Sequence, residues 1–219
     1  MSDVESTPNQ ASFPDFPEGD NLTPAARKRL KPGERRTQIL QALAGMLEQP
    51  GADRITTAAL AACLEVSEAA LYRHFASKAQ MFEGLIEFIE QTVFSLINQI
   101  LAQEGLSGAG QASKVVAMVM QFAEKNPGMT RVMAGDALVF EHERLQQRMN
   151  LFFDKIEATL KQSLREAVEV SASATPSVDT LVQASVLTSF LVGRLQRFAR
   201  SGFKRLPSEH LDASLALML

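Results

Sequence analysis

The sequence is poor in the residues that build disulfide-bonded or aromatic-rich folds. Its 219 residues include one cysteine, one tyrosine and no tryptophan, and aromatic residues make up only 6%. The single cysteine, Cys63, excludes an intrachain disulfide, and a composition dominated by Leu and Ala favours helices over sheets. We expect no apolar run that reaches the ~18 residues a membrane-spanning helix needs. No apolar segment follows a basic start, so we expect no signal peptide and a cytoplasmic protein.

Charge is distributed unevenly along the chain. The net charge of −3 excludes a generally basic protein. Residues 1–26 carry five acidic side chains and no Lys or Arg, whereas residues 27–80 carry nine Lys or Arg against five Asp or Glu. The first segment also contains four prolines and lacks periodicity, which predicts a disordered acidic tail. The second has the local positive charge that a phosphate-binding surface requires.

Hydrophobic residues recur at helical spacing through most of the remaining chain. Thr56, Ser67 and Ser77 are predicted to cap three successive helices. Further helices are predicted at about 78–103, 112–125, 141–169 and 178–201, with short helical pieces over 129–140 and after Pro207. We find no convincing strand. The predicted fold is all-α, with a helix-turn-helix domain at 27–80 and a helical regulatory and dimerisation domain at 81–219.

The segment RITTAALAACLEVSEAALYRHFASK, residues 54–78, has the pattern of a helix-turn-helix. In that motif one helix crosses the DNA backbone and the second places its N-terminal residues at base edges in the major groove. The apolar residues of this segment are predicted to pack against each other on its inner side, and the small Ala61 is placed where the two helices cross. Hydroxyls, helix N-terminal amides and cations are the groups that bind phosphate oxygens. The candidate DNA-binding residues are Thr56, Thr57, Ser67, Glu68, Ala69, Tyr72, Arg73, His74 and Lys78.

Two of these residues have alternative interpretations. Arg73 either reads a base or clamps a phosphate, and Glu68 either accepts from a cytosine amino group or is a helix-start charge. The basic arm, Arg27, Lys28, Arg29 and Lys31, either follows the DNA or is solvated.

The sequence contains no recognisable catalytic or metal-binding pattern. The three histidines are scattered, and no Cys partner stands at metal-ligand spacing. The segment GLSGAG, residues 105–110, lacks the strand and Lys of a phosphate-binding loop. We predict neither an enzyme nor a metal site nor a cofactor.

The stretch ITTAALAACLEVSEAALYRHFASKAQMFEGL resembles the DNA-binding domain of TetR-type regulators, including LYRHF followed by SK. The resemblance implies a homodimer in which Thr56, Tyr72, His74 and Lys78 hold phosphates. One departure concerns Glu65, which stands where the family usually has Gly in the turn. If the backbone there is left-handed, Glu costs roughly 1 kcal/mol or slightly more.

More narrowly, the segments NPGMTRVMAGDAL and RLQQRMN are similar to the nucleoid occlusion branch of that family. The resemblance implies a nucleoid-associated dimer that binds double-stranded chromosomal sites and blocks assembly of the division protein FtsZ. It suggests FtsZ contacts at Phe88, Lys125 and Asn126, although core packing is the alternative for Phe88. The competing function is a ligand-responsive TetR-type repressor.

The resemblance also leads to expectations about the DNA site of the dimer and about small-molecule ligands. Two symmetric recognition helices imply a near-palindromic site. The regulatory helices are mostly apolar and offer few polar groups that could orient a small molecule, so we expect no small-molecule effector. No membrane partner is expected.

Overall fold

The computed structural model describes residues 33–49, 54–168 and 176–219, and most of these residues are helical. Within these ranges there are nine α-helices, a 3-10 turn at Asp136–Leu138 and no strand. The helices, in chain order, are α1 Glu34–Glu48, α2 Thr57–Cys63, α3 Glu68–Tyr72, α4 Lys78–Leu101, α5 Gly108–Lys125, α6 Pro127–Met133, α7 Glu143–Val168, α8 Pro176–Arg200 and α9 Leu211–Met218. The predicted all-α fold is confirmed. The predicted acidic tail and basic arm lie outside the described residues.

Hydroxyl side chains start four of these helices. Thr56, Ser67 and Ser77 each accept a hydrogen bond from the backbone N–H three residues on, at 3.1, 3.3 and 3.2 Å. These are the three predicted caps. Ser107 does the same for α5, accepting from Gly110 N at 3.1 Å. Helix α5 therefore begins four residues earlier than predicted, because the capping Ser outweighs the low helix propensity of the glycines that follow.

The central layer of the core is α5, which packs against α4, α6, α7 and α8. It contributes a row of small and medium side chains, Ala112, Val115, Val116, Val119 and Ala123, all fully buried. Helices α4 and α7 add large apolar residues from either side, including Phe82 and Phe152. The predicted domain boundary at residue 80 falls within the first turn of α4, which packs against both α1 and α5.

Helix α1 is locked to α6 by a close backbone approach. A Cβ atom added to Gly128 would stand 2.0 Å from the Ala44 carbonyl oxygen, so only glycine allows this spacing. The N–H of Gly128 also hydrogen-bonds Glu48 in the last turn of α1. The contact joins the helix that supports the helix-turn-helix to the rest of the core.

Helices α7 and α8 pack along each other and leave part of their apolar surface uncovered. Leu151 on α7 and Val178, Leu181, Val182 and Val186 on α8 are exposed. Among the described residues, Val178–Arg200 is also long and apolar enough to cross a membrane by length and composition alone. A packed helix of a soluble protein meets the same criterion.

Candidate nucleic-acid interface

A tight turn sets the angle between α2 and α3. The backbone N–H of Val66 returns to Ala61 O at 2.9 Å, and Glu65 has a φ of 53°. Leu60, Ala61 and Leu71 are buried under the turn. The left-handed backbone that the family's glycine implies is therefore present, and here a Glu adopts it at a cost of roughly 1 kcal/mol or more.

A chain of hydroxyl contacts links the two helices on their outer side. Tyr72 Oη donates to Thr57 Oγ1 at 3.5 Å, and Thr57 Oγ1 donates to a Glu68 carboxylate oxygen at 2.6 Å. The 3.5 Å contact is at the limit of a hydrogen bond, whereas the 2.6 Å one is short and charge-assisted. Thr57 is half-buried and Tyr72 is 45% exposed. Glu68 is thus held against α2, and the tyrosine ring projects beside it.

The remaining candidates on α2 and α3 are at the surface. Thr56, Ser67, Glu68, Ala69, Arg73 and His74 are all exposed. Ser67 and Glu68 stand at the start of α3, where the first-turn N–H groups point outward and favour anions. The helical hairpin formed by α2 and α3 therefore exposes donors of different kinds, which is the chemistry needed to contact a sugar-phosphate backbone.

Arginines of α1 support the end of α3. Arg36 Nη1 donates to the His74 carbonyl at 3.1 Å, and its guanidinium carbon lies 4.1 Å from the centre of the Phe75 ring. Arg35 lines a hollow of about 210 Å³ together with Arg73 and His74. Arg36 therefore fixes the turn that presents Arg73 and His74, and Arg35 adds positive charge to the same surface.

Lys78 is placed differently from the other candidates. It begins α4, is half-buried, and its ammonium group makes an ion pair with Glu141. It also lies 5.6 Å from the centre of the Phe82 ring. The side chains of Lys78 and Glu141 are 25% and 9% exposed. A phosphate that binds Lys78 must therefore replace or share Glu141.

The three candidate partner-binding residues lie on α4 and at the end of α5. Phe88 is half-buried and packs against the core. Lys125 is exposed. Asn126 is half-buried, and its side-chain amide donates to Phe122 O at 2.8 Å, which closes the last turn of α5. Asn126 thus has a structural role in the fold.

Sequence reasoning missed three residues at this surface. Arg35 and Arg36 follow the basic arm and were not among the candidates, although their place on the first turn of α1 was a usable signal. Glu141 gave no signal, because it lies 63 residues from Lys78 in the chain. In the part of the chain that the structure describes, no three His, Cys, Asp or Glu side chains are grouped as for a metal ion.

Models of two protein families match the chain. The model described as bacterial regulatory proteins, tetR family, matches residues 39–85, which include the hairpin. The SlmA-like model, described as a Tetracyclin repressor-like C-terminal domain, matches residues 109–219.

Curated proteins from several bacteria are about half identical to this chain. The nucleoid occlusion factor SlmA of Idiomarina loihiensis is 51% identical over 184 residues, which cover 84% of this chain and 93% of the relative. The protein of the same name from Alteromonas mediterranea is 49% identical, covering 85% and 95%. That from Vibrio cholerae is 50% identical, covering 84% and 93%.

Solved structures share the fold at much lower identity. The regulator FadR from Bacillus subtilis, in complex with stearoyl-CoA, superposes with a TM-score of 0.67 at 13% identity and covers 83% of this chain and 96% of its own. FadR from Bacillus halodurans superposes with a TM-score of 0.69 at 16% identity, covering 86% and 96%.

Proposed function

This chain belongs to the SlmA family of nucleoid occlusion factors within the TetR-type regulators, and we propose that it couples DNA binding to inhibition of FtsZ. As a homodimer it binds near-palindromic chromosomal sites and blocks FtsZ-dependent septum assembly over the nucleoid. The observation that carries the DNA-binding half is the exposed donor face of α2 and α3, built from Thr56, Tyr72, Arg73 and His74.

The geometry of the hairpin favours groove reading by the start of α3. This helix has only five residues, so Ser67, Glu68 and Ala69 are the ones that can approach base edges. The hydrogen bond from Thr57 to Glu68 favours a positioning role for that carboxylate over direct acceptance from cytosine. Ala69 offers only a methyl group, which suits contact with a thymine methyl.

Phosphate binding is assigned to residues at the start of α2 and at the end of α3. Thr56 at the start of α2 and Tyr72 at the end of α3 supply hydroxyls, and Arg73 and His74, which follow Tyr72, supply N–H donors. Lys78 joins them by exchanging Glu141 for a phosphate, because both partners offer an oxygen anion to the same ammonium group.

Dimerisation is assigned to the exposed apolar faces of α7 and α8. Regulators with this fold bind DNA as dimers, and a two-fold axis through such a face forms a four-helix interface. The exposed apolar side chains between Val178 and Val186 form a stripe along α8, with Leu151 of α7 also exposed. A second copy that covers this stripe would bury it, which explains why α8 carries a long apolar stretch.

We assign the FtsZ-binding surface to the region of Phe88, Lys125 and Asn126. Helices α4 and α5, which carry these residues, pack against each other. Lys125 is the exposed member and is therefore the one expected to contact an acidic partner segment.

The deciding experiment mixes the protein, a duplex site and purified FtsZ with GTP, and measures polymer by sedimentation. The site is obtained by selecting from random duplexes with the protein itself. We expect the duplex to enhance the loss of pelleted FtsZ, and the variant Thr56→Asp, which keeps the cap of α2 but repels a phosphate, to weaken that enhancement. If pelleted FtsZ is unchanged by protein and duplex together, division inhibition is excluded.

A ligand-responsive repressor is the second candidate, and one cavity favours it. About 370 Å³ of space opens between α4, α5 and α7, lined by Leu101, Gln111, Ala158, Thr159, Gln162 and Ser163. Four of its six lining residues carry polar side chains, which is more than the sequence suggested. Release of the selected duplex by a small molecule, abolished by Thr159→Leu, together with unchanged FtsZ sedimentation, would establish this function instead.

A further inference from the structure

The end of α8 and the turn after it carry cations that have no acidic partner within the described part of the chain. Between positions 180 and 208 the sequence has five Arg or Lys and no Asp or Glu. Arg194 is engaged within the fold, since it lies 4.9 Å from the Phe190 ring centre and its Nη2 donates to Ser214 Oγ at 3.5 Å. The others are exposed, and among the described residues none forms an ion pair. We call these four the basic turn: Arg197, Arg200, Lys204 and Arg205.

Helix stabilisation explains only half of this group. Arg197 and Arg200 lie in the last turn of α8, where cations interact favourably with the helix dipole. Lys204 and Arg205 lie beyond the end of the helix, so the dipole does not account for them. Like charges gathered in one place also repel each other, so an anion that binds there would relieve the repulsion.

The shape of the basic turn is fixed by internal contacts. Ser201 Oγ accepts hydrogen bonds from the backbone N–H groups of Lys204 and Arg205, at 3.1 and 2.9 Å. The Phe203 ring packs edge-on against Phe198, with 5.2 Å between centroids. The cations are therefore presented from an ordered turn.

The basic turn lies at the same end of the molecule as the helix-turn-helix. The Lys78–Glu141 ion pair places the start of α7 beside the start of α4. Helices α7 and α8 have 26 and 25 residues, contact each other extensively and are separated by a short connection in the sequence, so α8 runs back along α7 toward this end. At that returning end, Ser208 N donates to Glu124 in the last turn of α5 at 2.8 Å, and α8 contacts α6, which in turn contacts α1.

We propose that the basic turn binds phosphates of duplex DNA as a second, sequence-independent contact outside the helix-turn-helix. The inference rests on the proposed function, because it assumes that the protein binds DNA. Duplex DNA is favoured over other anions because the basic turn lies at the same end as the recognition surface. A two-fold symmetric dimer carries two copies of the basic turn and therefore eight of these cations. Lys and Arg in such a position release counterions and add affinity without reading bases.

The test neutralises Lys204 and Arg205 and compares a matched variant. The test variant is Lys204→Gln with Arg205→Gln. The control, Lys114→Gln with Lys161→Gln, removes the same charge from the halves of α5 and α7 that lie away from the basic turn. There, Lys114 Nζ donates to Gln103 Oε1 at 2.8 Å. Fluorescence anisotropy measures binding to the selected site and to an unrelated duplex of equal length, roughly 30 base pairs or three helical turns. Each titration is repeated over a range of salt concentrations.

We expect the test variant to weaken binding to both duplexes by the same factor, about tenfold or more at low salt. The slope of log K against log salt should fall by about 1 for each phosphate that the variant no longer neutralises, so by up to about 4 in a dimer. The control should match the wild type. Equal thermal unfolding and equal sedimentation of the two variants exclude misfolding as the cause.

Three results overturn the proposal. In the first, the test variant matches the control on both duplexes. In the second, it weakens binding to the selected site alone, which would make the contact sequence-specific. In the third, it loses binding to phosphatidylglycerol vesicles but retains both duplexes, and the partner is then a lipid surface. A wild-type protein that binds neither duplex defeats the proposed function itself, which is a distinguishable failure.

Discussion

Thr56 closes the first turn of α2 and also lies on the exposed face of the hairpin. A capping role and a phosphate contact both need its hydroxyl oxygen, so Thr56→Ala alone does not separate them. Asp is as good a cap as Ser, but its charge opposes a phosphate. The two roles are therefore separable by choosing the replacement.

We predict that Thr56→Ser and Thr56→Asp leave the melting temperature within a few degrees of the wild type. DNA affinity should be retained by Thr56→Ser and fall about tenfold, roughly 1.4 kcal/mol, in Thr56→Asp. Thermal unfolding by circular dichroism and anisotropy with the selected duplex measure the two effects. Equal DNA affinity of the Ser and Asp variants would place Thr56 away from the phosphates.

Glu48 gives the fold a pH dependence. Partial burial raises the pKa of its carboxyl above the usual value of 4.5, and the hydrogen bond from the Gly128 N–H offsets part of this. A raised folded-state pKa means that the folded protein binds more protons than the unfolded chain in the window just above 4.5. The contribution of Glu48 to stability therefore falls as pH rises through that window.

Glu48→Gln should remove this dependence while keeping an oxygen that accepts from Gly128. We predict that the unfolding free energy of the wild type, measured relative to the variant, decreases as pH rises from 4.5 and levels off above the folded pKa. Urea unfolding at several pH values measures the difference. Parallel curves for the two proteins would show that Glu48 does not titrate differently on folding.

At the scale of the elements, the docking of α6 on α1 depends on one missing Cβ. Gly128 and Gly45 are both helical glycines, but nothing lies within 4 Å of a Cβ built on Gly45, whereas one built on Gly128 meets the Ala44 carbonyl. Alanine has a higher intrinsic helix propensity than glycine, so propensity alone would not make either substitution destabilising. The pair therefore isolates the steric effect of the close approach.

We predict opposite signs for the two substitutions. Gly45→Ala should stabilise the protein by about 0.5–1 kcal/mol, because alanine loses less backbone entropy in a helix. Gly128→Ala should destabilise it by about 3 kcal/mol or more, because α1 and α6 must separate. Chemical unfolding measures both. A Gly128→Ala protein as stable as the wild type would show that this interface yields easily.

For the molecule as a whole, the uncovered face of α8 links assembly to DNA binding. A dimer makes binding of the second half-site intramolecular, which commonly raises affinity by 100-fold or more. Val182 is at the centre of the exposed stripe, and Leu217 is another exposed apolar residue, on α9. A charge at Val182 should therefore break a dimer that a charge at Leu217 leaves intact.

We predict that Val182→Glu sediments as a folded monomer and binds the selected duplex about 100-fold more weakly. Leu217→Glu should remain dimeric with wild-type affinity. Analytical ultracentrifugation and anisotropy provide the two measurements. A dimeric Val182→Glu protein would move the interface away from α8.

The helices, three of the caps and the hairpin were accessible from the sequence by itself. They depend on interactions between residues a few positions apart: hydroxyls at Thr56, Ser67 and Ser77 accept from N–H groups three residues on, and apolar residues recur at the helical period. The family's glycine raised the question of a left-handed turn at Glu65 without deciding it, and the structure shows that Glu65 adopts this backbone. Local geometry of this kind is determined by short stretches of chain.

Only the tertiary structure decided which of these residues are free to act. It pairs Lys78 with Glu141 across 63 residues and holds the His74 carbonyl with Arg36. It also brings the end of α8 back to the end of the molecule that carries the hairpin. These contacts depend on how whole helices pack. Helix packing depends on the summed burial of many side chains, and at some positions on a residue without a Cβ, such as Gly128, that lets two backbones approach closely. Neither property can be read from a short segment of the sequence.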